Sequence, residues 1–205
     1  MNKLILFIFP LLTCLWNCGS QKVIATKYYV IEIPIDSVLE RNDKITSEIG
    51  KFCEIVEVDV NPAYSSIQIA NRSNSNALTY YSYHHWAIRP ATSFTRLILD
   101  YFMHVPTFGN VSDRFWRVKP DFILETTIYH IEVVQEKDIF SAHLNLEFRL
   151  KKTETDKNII EHRADRYMTL EDKDLNLFAS AVGEIFFQEL EQLNEKILSA
   201  IKDAP

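Results

Sequence analysis

At 205 residues, with 47% apolar and 24% charged residues, the chain has the composition of a globular protein built around one core. A net charge of −6 and the lack of any Lys/Arg-dense run argue against a nucleic-acid surface. With only four glycines and no GxGxxG or GxxxxGKS/T pattern, a Gly-rich phosphate loop is excluded too.

The N-terminus, MNKLILFIFPLLTCLWNCGSQK, carries one charge, Lys3, followed by an apolar run over residues 4–16. That run is shorter than the roughly 20 residues that span a bilayer, so it reads as the core of a secretory signal. A cysteine closes it, as in bacterial lipoprotein signals, where the thiol receives diacylglycerol and cleavage falls just before it. Cys18, with Leu15 three residues upstream and Gly19-Ser20 after it, is the favoured lipidation site. Cys14, with Leu11 at the same offset, is the other candidate, and an ordinary cleaved signal is a third reading. Residues 1–17 are thus expected to be a signal peptide, 18–25 a lipidated tether and 26–205 a single domain. Two or three acyl chains would hold it durably, whereas one binds marginally. Cys53 is left without a partner and reads as a small core residue.

TKYYVIEIPI is rich in strand formers and ends near Pro34, predicting a first strand. Residues 36–51 are polar and predict a long loop. FCEIVEVDVNP alternates with a phase slip at Ile55 and Val56, then stops at Asn61-Pro62. SSIQIANR and ALTYYSYHHW predict two short strands around an SNSN turn. From Pro90 the period lengthens: Phe94, Leu97, Ile98, Tyr101 and Phe102 mark an amphipathic helix ending at His104 before Val105-Pro106. RFWRVKPDFILETTIYHIEVV and FSAHLNLEFRLKK predict a hairpin. Its second arm sets Phe140, Ala142, Leu144, Leu146, Phe148 and Leu150 on one face, with Ser141, His143, Asn145, Glu147 and Arg149 on the other. IIEHRADRYMTL is a further strand, and a helix over about 174–201 closes the chain on a stripe including Phe178, Val182, Ile185, Phe186 and Leu190. The expected fold is α+β, an antiparallel sheet of about five to seven strands covered on one face by two helices.

Catalytic and metal chemistry finds little in these residues. His84 and His85, adjacent on a strand, point to opposite faces and cannot chelate one ion. His130 and His143 could approach across the hairpin, but as surface histidines they read as solvated. No HxxxH, HExxH, paired CxxC or GxSxG occurs, so no metal site and no catalytic residue is assigned. The acidic residues read as solvated faces, with EDKD (171–174) a favourable helix N-terminus. The aromatic run from Tyr80 to Trp86 has two readings, a core face or a protein- or lipid-facing edge.

In order along the chain, these segments resemble the ABC-type transport auxiliary lipoproteins, accessories of mammalian-cell-entry (MCE) domain lipid transporters. The likeness runs through a lipobox cysteine, the strand Tyr28-Tyr29-Val30-Ile31, and VEVDVNPAYSSIQIANR with Tyr64 and Arg72 at the matching places. It continues through HHWAIRP, which supplies Trp86 and Ala87 with the proline displaced by one residue, and Ile131-Glu132, LNLEFRL, RADRYM and a long last helix. The resemblance implies a non-enzymatic, periplasm-facing lipoprotein held in the outer membrane through Cys18. Its partner would be an MCE-domain protein, it allows a homo-oligomer, and it needs no cofactor beyond the covalent lipid. Tyr64, Arg72, Tyr81 and Tyr83 are then candidate contact residues, and Trp86 packs where the strand turns into the first helix. Two other readings stay open, a periplasmic lipid-binding module and a structural lipoprotein of another envelope assembly.

Overall fold

A computed structural model of the chain describes residues 24–34, 49–73 and 76–202. Its strands are β1 (Lys27–Tyr29), β2 (Ile49–Ile55), β3 (Asp59–Val60), β4 (Gln68–Ser73), β5 (Leu78–Trp86), β6 (Phe108–Ser112), β7 (Phe122–Glu136), β8 (Ile139–Lys152) and β9 (Lys157–Thr169). The helices are α1 (Pro90–His104) and α2 (Leu175–Lys202), with a 3-10 turn at Pro62–Tyr64. All nine strands join one sheet, and both helices lie on one of its faces, the α+β class expected.

The long β7–β8–β9 meander forms where alternation is strongest. On β8 every member of the predicted apolar set, Phe140 through Leu150, is buried toward the helices. On β7 the buried set is Phe122, Leu124, Thr126 and Ile128, but then Ile131 and Val133. The change of parity is a bulge: Ile128 pairs with Leu146, and the next pair is His130 with Asn145, leaving Tyr129 extra. A bulge inserts one residue and exchanges the two faces beyond it. His130 and Glu132 are thereby turned away from the helices.

Pro90 opens α1 with its φ preset and no N–H to satisfy, and at the far end the Val105 N–H donates to the Tyr101 carbonyl before Pro106 stops the helix. Asp174 accepts the Asn176 N–H at 2.8 Å and so caps α2. The two helices meet at Phe94 and Phe186, ring centroids 4.6 Å apart, and Phe186 also touches Phe148 on the sheet. Burying one such ring contributes about 1.5–3 kcal/mol. The extended 30–34 segment crosses α2 at Gly183, where a Cβ would lie 1.9 Å from the Glu32 carbonyl oxygen. Only glycine permits that approach.

Several details differ from the sequence expectation. The sheet is mixed: β1 runs parallel to β5, β2 to β6, and β7 to each of β2, β3 and β4. Apolar patterning specifies which face is buried and is silent on strand direction. The slip at Ile55 and Val56 is a break between β2 and β3, and the last residues of the expected 36–51 loop belong to β2. The first strand ends at Tyr29, β6 was not anticipated, and residues 113–121 form a loop ahead of β7. Most of the 36–51 segment lies outside the described residues, as do the signal and tether with Cys14 and Cys18.

Candidate functional site

On the sheet face opposite the helices, a buried carboxylate gathers side chains from four elements. The bulge at Tyr129 delivers Glu132 to this face, where it is 1% exposed. Its Oε1 accepts from Arg72 Nε on β4 at 2.8 Å and from His143 Nδ1 on β8 at 3.0 Å. Its Oε2 accepts from the Tyr64 hydroxyl at 2.8 Å. The Asn61 side chain fixes the turn that carries Tyr64 by accepting the Ala63 N–H. The Tyr64 oxygen in turn accepts from Arg72 at 2.8 Å, closing a triangle of Arg72, Tyr64 and Glu132. His143 Nε2 lies 2.8 Å from Asp165 Oδ1 on β9, so this ring spans two carboxylates. Tyr167 stacks on His143 with centroids 4.1 Å apart, and His130 stacks on the other side at 5.1 Å.

The electrostatics follow from these bonds. Burial alone would raise the Glu132 pKa, but the bonds from His143, Arg72 and Tyr64 outweigh it and bring the group down to about 2. Burial, with the Glu132 bond behind it, pushes the Tyr64 hydroxyl up to about 12. The Arg72 guanidinium is raised, chiefly by its bond to Glu132. His130 is lowered by burial and by His143 beside it. Its Nδ1 is buried with no hydrogen-bond partner among the described residues. Glu132 therefore stays ionised and Tyr64 stays protonated at neutral pH. The pair ties the 3-10 turn to β7.

Of the residues singled out in the sequence, Tyr64 and Arg72 meet here. Tyr64, expected as a contact residue, is 3% exposed, and its hydroxyl donates to Glu132 inside the domain. Tyr81 and Tyr83 lie elsewhere, on β5. Tyr83 is exposed, while Tyr81 is half-buried and packs edge-on against His84. Alternation predicts opposite faces for Tyr81 and His84, but an irregularity in the β4–β5 register brings them together. His84 also bonds the Tyr29 hydroxyl at 2.7 Å, and His85 faces Tyr28. Trp86 is buried at the end of β5 against Phe178 of α2. Cys53 is fully buried, which raises its thiol pKa.

Sequence reasoning missed His143, Glu147 and Glu189, which read as wet and are buried. The two on β8 are roofed by neighbouring strands: Glu147 accepts from Tyr129 at 2.6 Å and from Arg163 at 3.2 Å. Glu189 projects from α2 and accepts from His162 at 2.6 Å and Arg166 at 2.7 Å. The one available signal was the IYHIE parity slip that places Glu132.

The class of protein defined here is an α+β domain with a curled mixed sheet and both helices on one face. No family model and no curated protein matches the chain by sequence. Among solved structures it is similar to a DUF330 family protein from Xanthomonas campestris, with a TM-score of 0.72 and 13% identity over 87% of this chain and 98% of that one. An uncharacterized protein aligns with a TM-score of 0.67 at 9% identity, over 85% of this chain and 99% of that one. A hypothetical protein from Chlamydia trachomatis aligns with a TM-score of 0.52 at 7% identity, over 73% and 99%. At such identities the likeness is one of fold.

Proposed function

We propose that this protein is an outer-membrane-anchored, periplasm-facing lipoprotein, lipidated on Cys18, that serves as a non-enzymatic accessory subunit of an MCE-type intermembrane lipid transporter. The observation that carries the reading is the Tyr64–Arg72–Glu132 triangle. These three positions come from two separate segments of the auxiliary-lipoprotein pattern, and the fold joins them in one hydrogen-bonded unit. Convergence of pattern positions at one point is what a shared architecture produces. The low-pKa carboxylate at its centre suits a scaffold better than acid–base catalysis. Among the described residues no helix is long and apolar enough to cross a membrane.

The test is an in-cell crosslinking pull-down of the tagged protein from membranes beside a Cys18→Ala version. Recovery of an MCE-domain protein, with Cys18→Ala leaving the membrane fraction, is the expected result. A bait that recovers no MCE-domain protein overturns the partner, and one that stays membrane-bound without Cys18 overturns the anchor.

A further inference from the structure

We infer that the 114–119 loop between β6 and β7 is the surface on which this domain receives an acidic protein partner. Within the reading proposed above, that partner is the transporter's MCE-domain subunit. Trp116 is 82% exposed, the most exposed of the large apolar side chains among the described residues, and Val118 beside it is 51% exposed. The Arg114 guanidinium lies 5.0 Å from the Trp116 ring centroid. Arg117 and Lys119 are exposed as well, so the loop is locally cationic on a chain of net charge −6.

The loop is held at its base. Phe115 stacks on Phe52 of β2 with centroids 5.6 Å apart and planes within 7°. Asp121 clasps Phe52 through both its backbone N–H and its carboxylate, at 2.9 and 2.8 Å. Asp121 is thus engaged in the fold through Phe52. An indole flanked by guanidinium groups on a fixed base has the composition of an interface hot spot, and the cations set the sign of the surface it fits.

Two observations favour a protein over a lipid surface. The first is a cleft of about 660 Å³ beside Trp116, whose lining carries Glu54, Glu57 and Asp113 as well as Arg96 and Arg114. A flat bilayer cannot fill such a cleft, whereas a projecting side chain can, and its mixed charges suit polar protein groups. The second is strand direction. β1 is parallel to β5, β5 antiparallel to β4, and β4 parallel to β7. β1 therefore begins on the side of the C-terminal end of β7, while the loop sits beside the N-terminal end of β7 at Phe122. The loop thus lies toward the opposite end of β7 from the one where β1 begins.

The experiment places the photocrosslinker p-benzoylphenylalanine at position 116, and in parallel at 118 and 167, in the full-length protein in cells, with adducts identified by mass spectrometry. Expected is an adduct from 116 and 118 with an MCE-domain protein, none from 167, and about a tenfold lower yield at 118 when Arg114→Glu and Arg117→Glu are combined. A lipid adduct alone, or a protein adduct at 167 but not at 116, overturns the surface. So does silence at 116 while the pull-down still recovers the MCE-domain protein, which leaves the accessory role standing. An adduct at 116 with an identified acidic protein lacking an MCE domain upholds the surface and overturns the accessory role. Unchanged thermal midpoints of the Glu variants separate lost contact from lost fold.

Discussion

Two buried carboxylates, Glu132 and Glu189, are each 1% exposed, yet they do different work. Glu132 sits on the open face and accepts from Arg72, Tyr64 and His143, tying β4, β7, β8 and the 3-10 turn into one unit that Asp165 extends to β9. Glu189 sits between α2 and β9 and accepts from His162 and Arg166. Lys196 Nζ lies 2.6 Å from His162 Nδ1, and an ammonium only donates, so that nitrogen accepts and Nε2 carries the proton given to Glu189. Around Glu132 the cation is mostly shielded: the Arg72 side chain is 27% exposed, against 52% for Arg166. Similar partners in different solvent should therefore respond differently to the loss of their acceptor.

Replacing Glu132 by Ala removes the buried acceptor shared by Arg72, His143 and Tyr64 and should cost about 3 kcal/mol or more. The matched Glu189→Ala lets Arg166 turn to water, leaves one imidazole N–H unsatisfied, and should cost about 1–3 kcal/mol. Urea midpoints of the two variants check the order; a larger loss for Glu189→Ala would reverse the comparison. Acid titration sharpens it. The Glu132 pKa is about 2 in the fold against an ordinary 4.5, so its contribution is full above pH 4.5 and fades as pH falls to about 2. About 3 kcal/mol is lost across that window. The stability gap between wild type and Glu132→Gln should close on acidification; a gap constant from pH 5 to 2.5 would refute the assignment. Glu147, lowered by its Tyr129 bond, adds a part of the same sign.

Tyr64→Phe removes one donor to Glu132 and one acceptor for Arg72, and should cost about 1–2 kcal/mol, read by thermal unfolding. The smallest effect belongs to Tyr167→Ala. The ring is 61% exposed and contributes only its stack on His143, so a loss below about 1 kcal/mol is expected. A larger loss would show that Tyr167 shields the His143–Asp165 bond from water.

Much of this was legible in the sequence. The α1 bounds followed from Pro90 and from Val105-Pro106, and the apolar face of β8 from strict alternation, because both depend on neighbours in the chain. The IYHIE parity slip was also present in the sequence, though its consequence required β8 as a ruler. By contrast, the burial of His143 and Glu147 depended on Tyr167, Tyr129 and Arg163 arriving from adjacent strands, and no local pattern encodes that roof. The same holds for the loop at Trp116, which reads as the start of a strand until Asp121 is seen clasping Phe52.

The sequence alone determined which apolar residues must leave water, and with them the class of fold, since period and punctuation are properties of consecutive residues. Strand direction, the mixed sheet and the meeting of Tyr64, Arg72 and Glu132 were decided only by the tertiary structure. Those features join residues up to 69 positions apart, from Cys53 beside Phe122, and a contact between distant segments leaves no periodic trace in either.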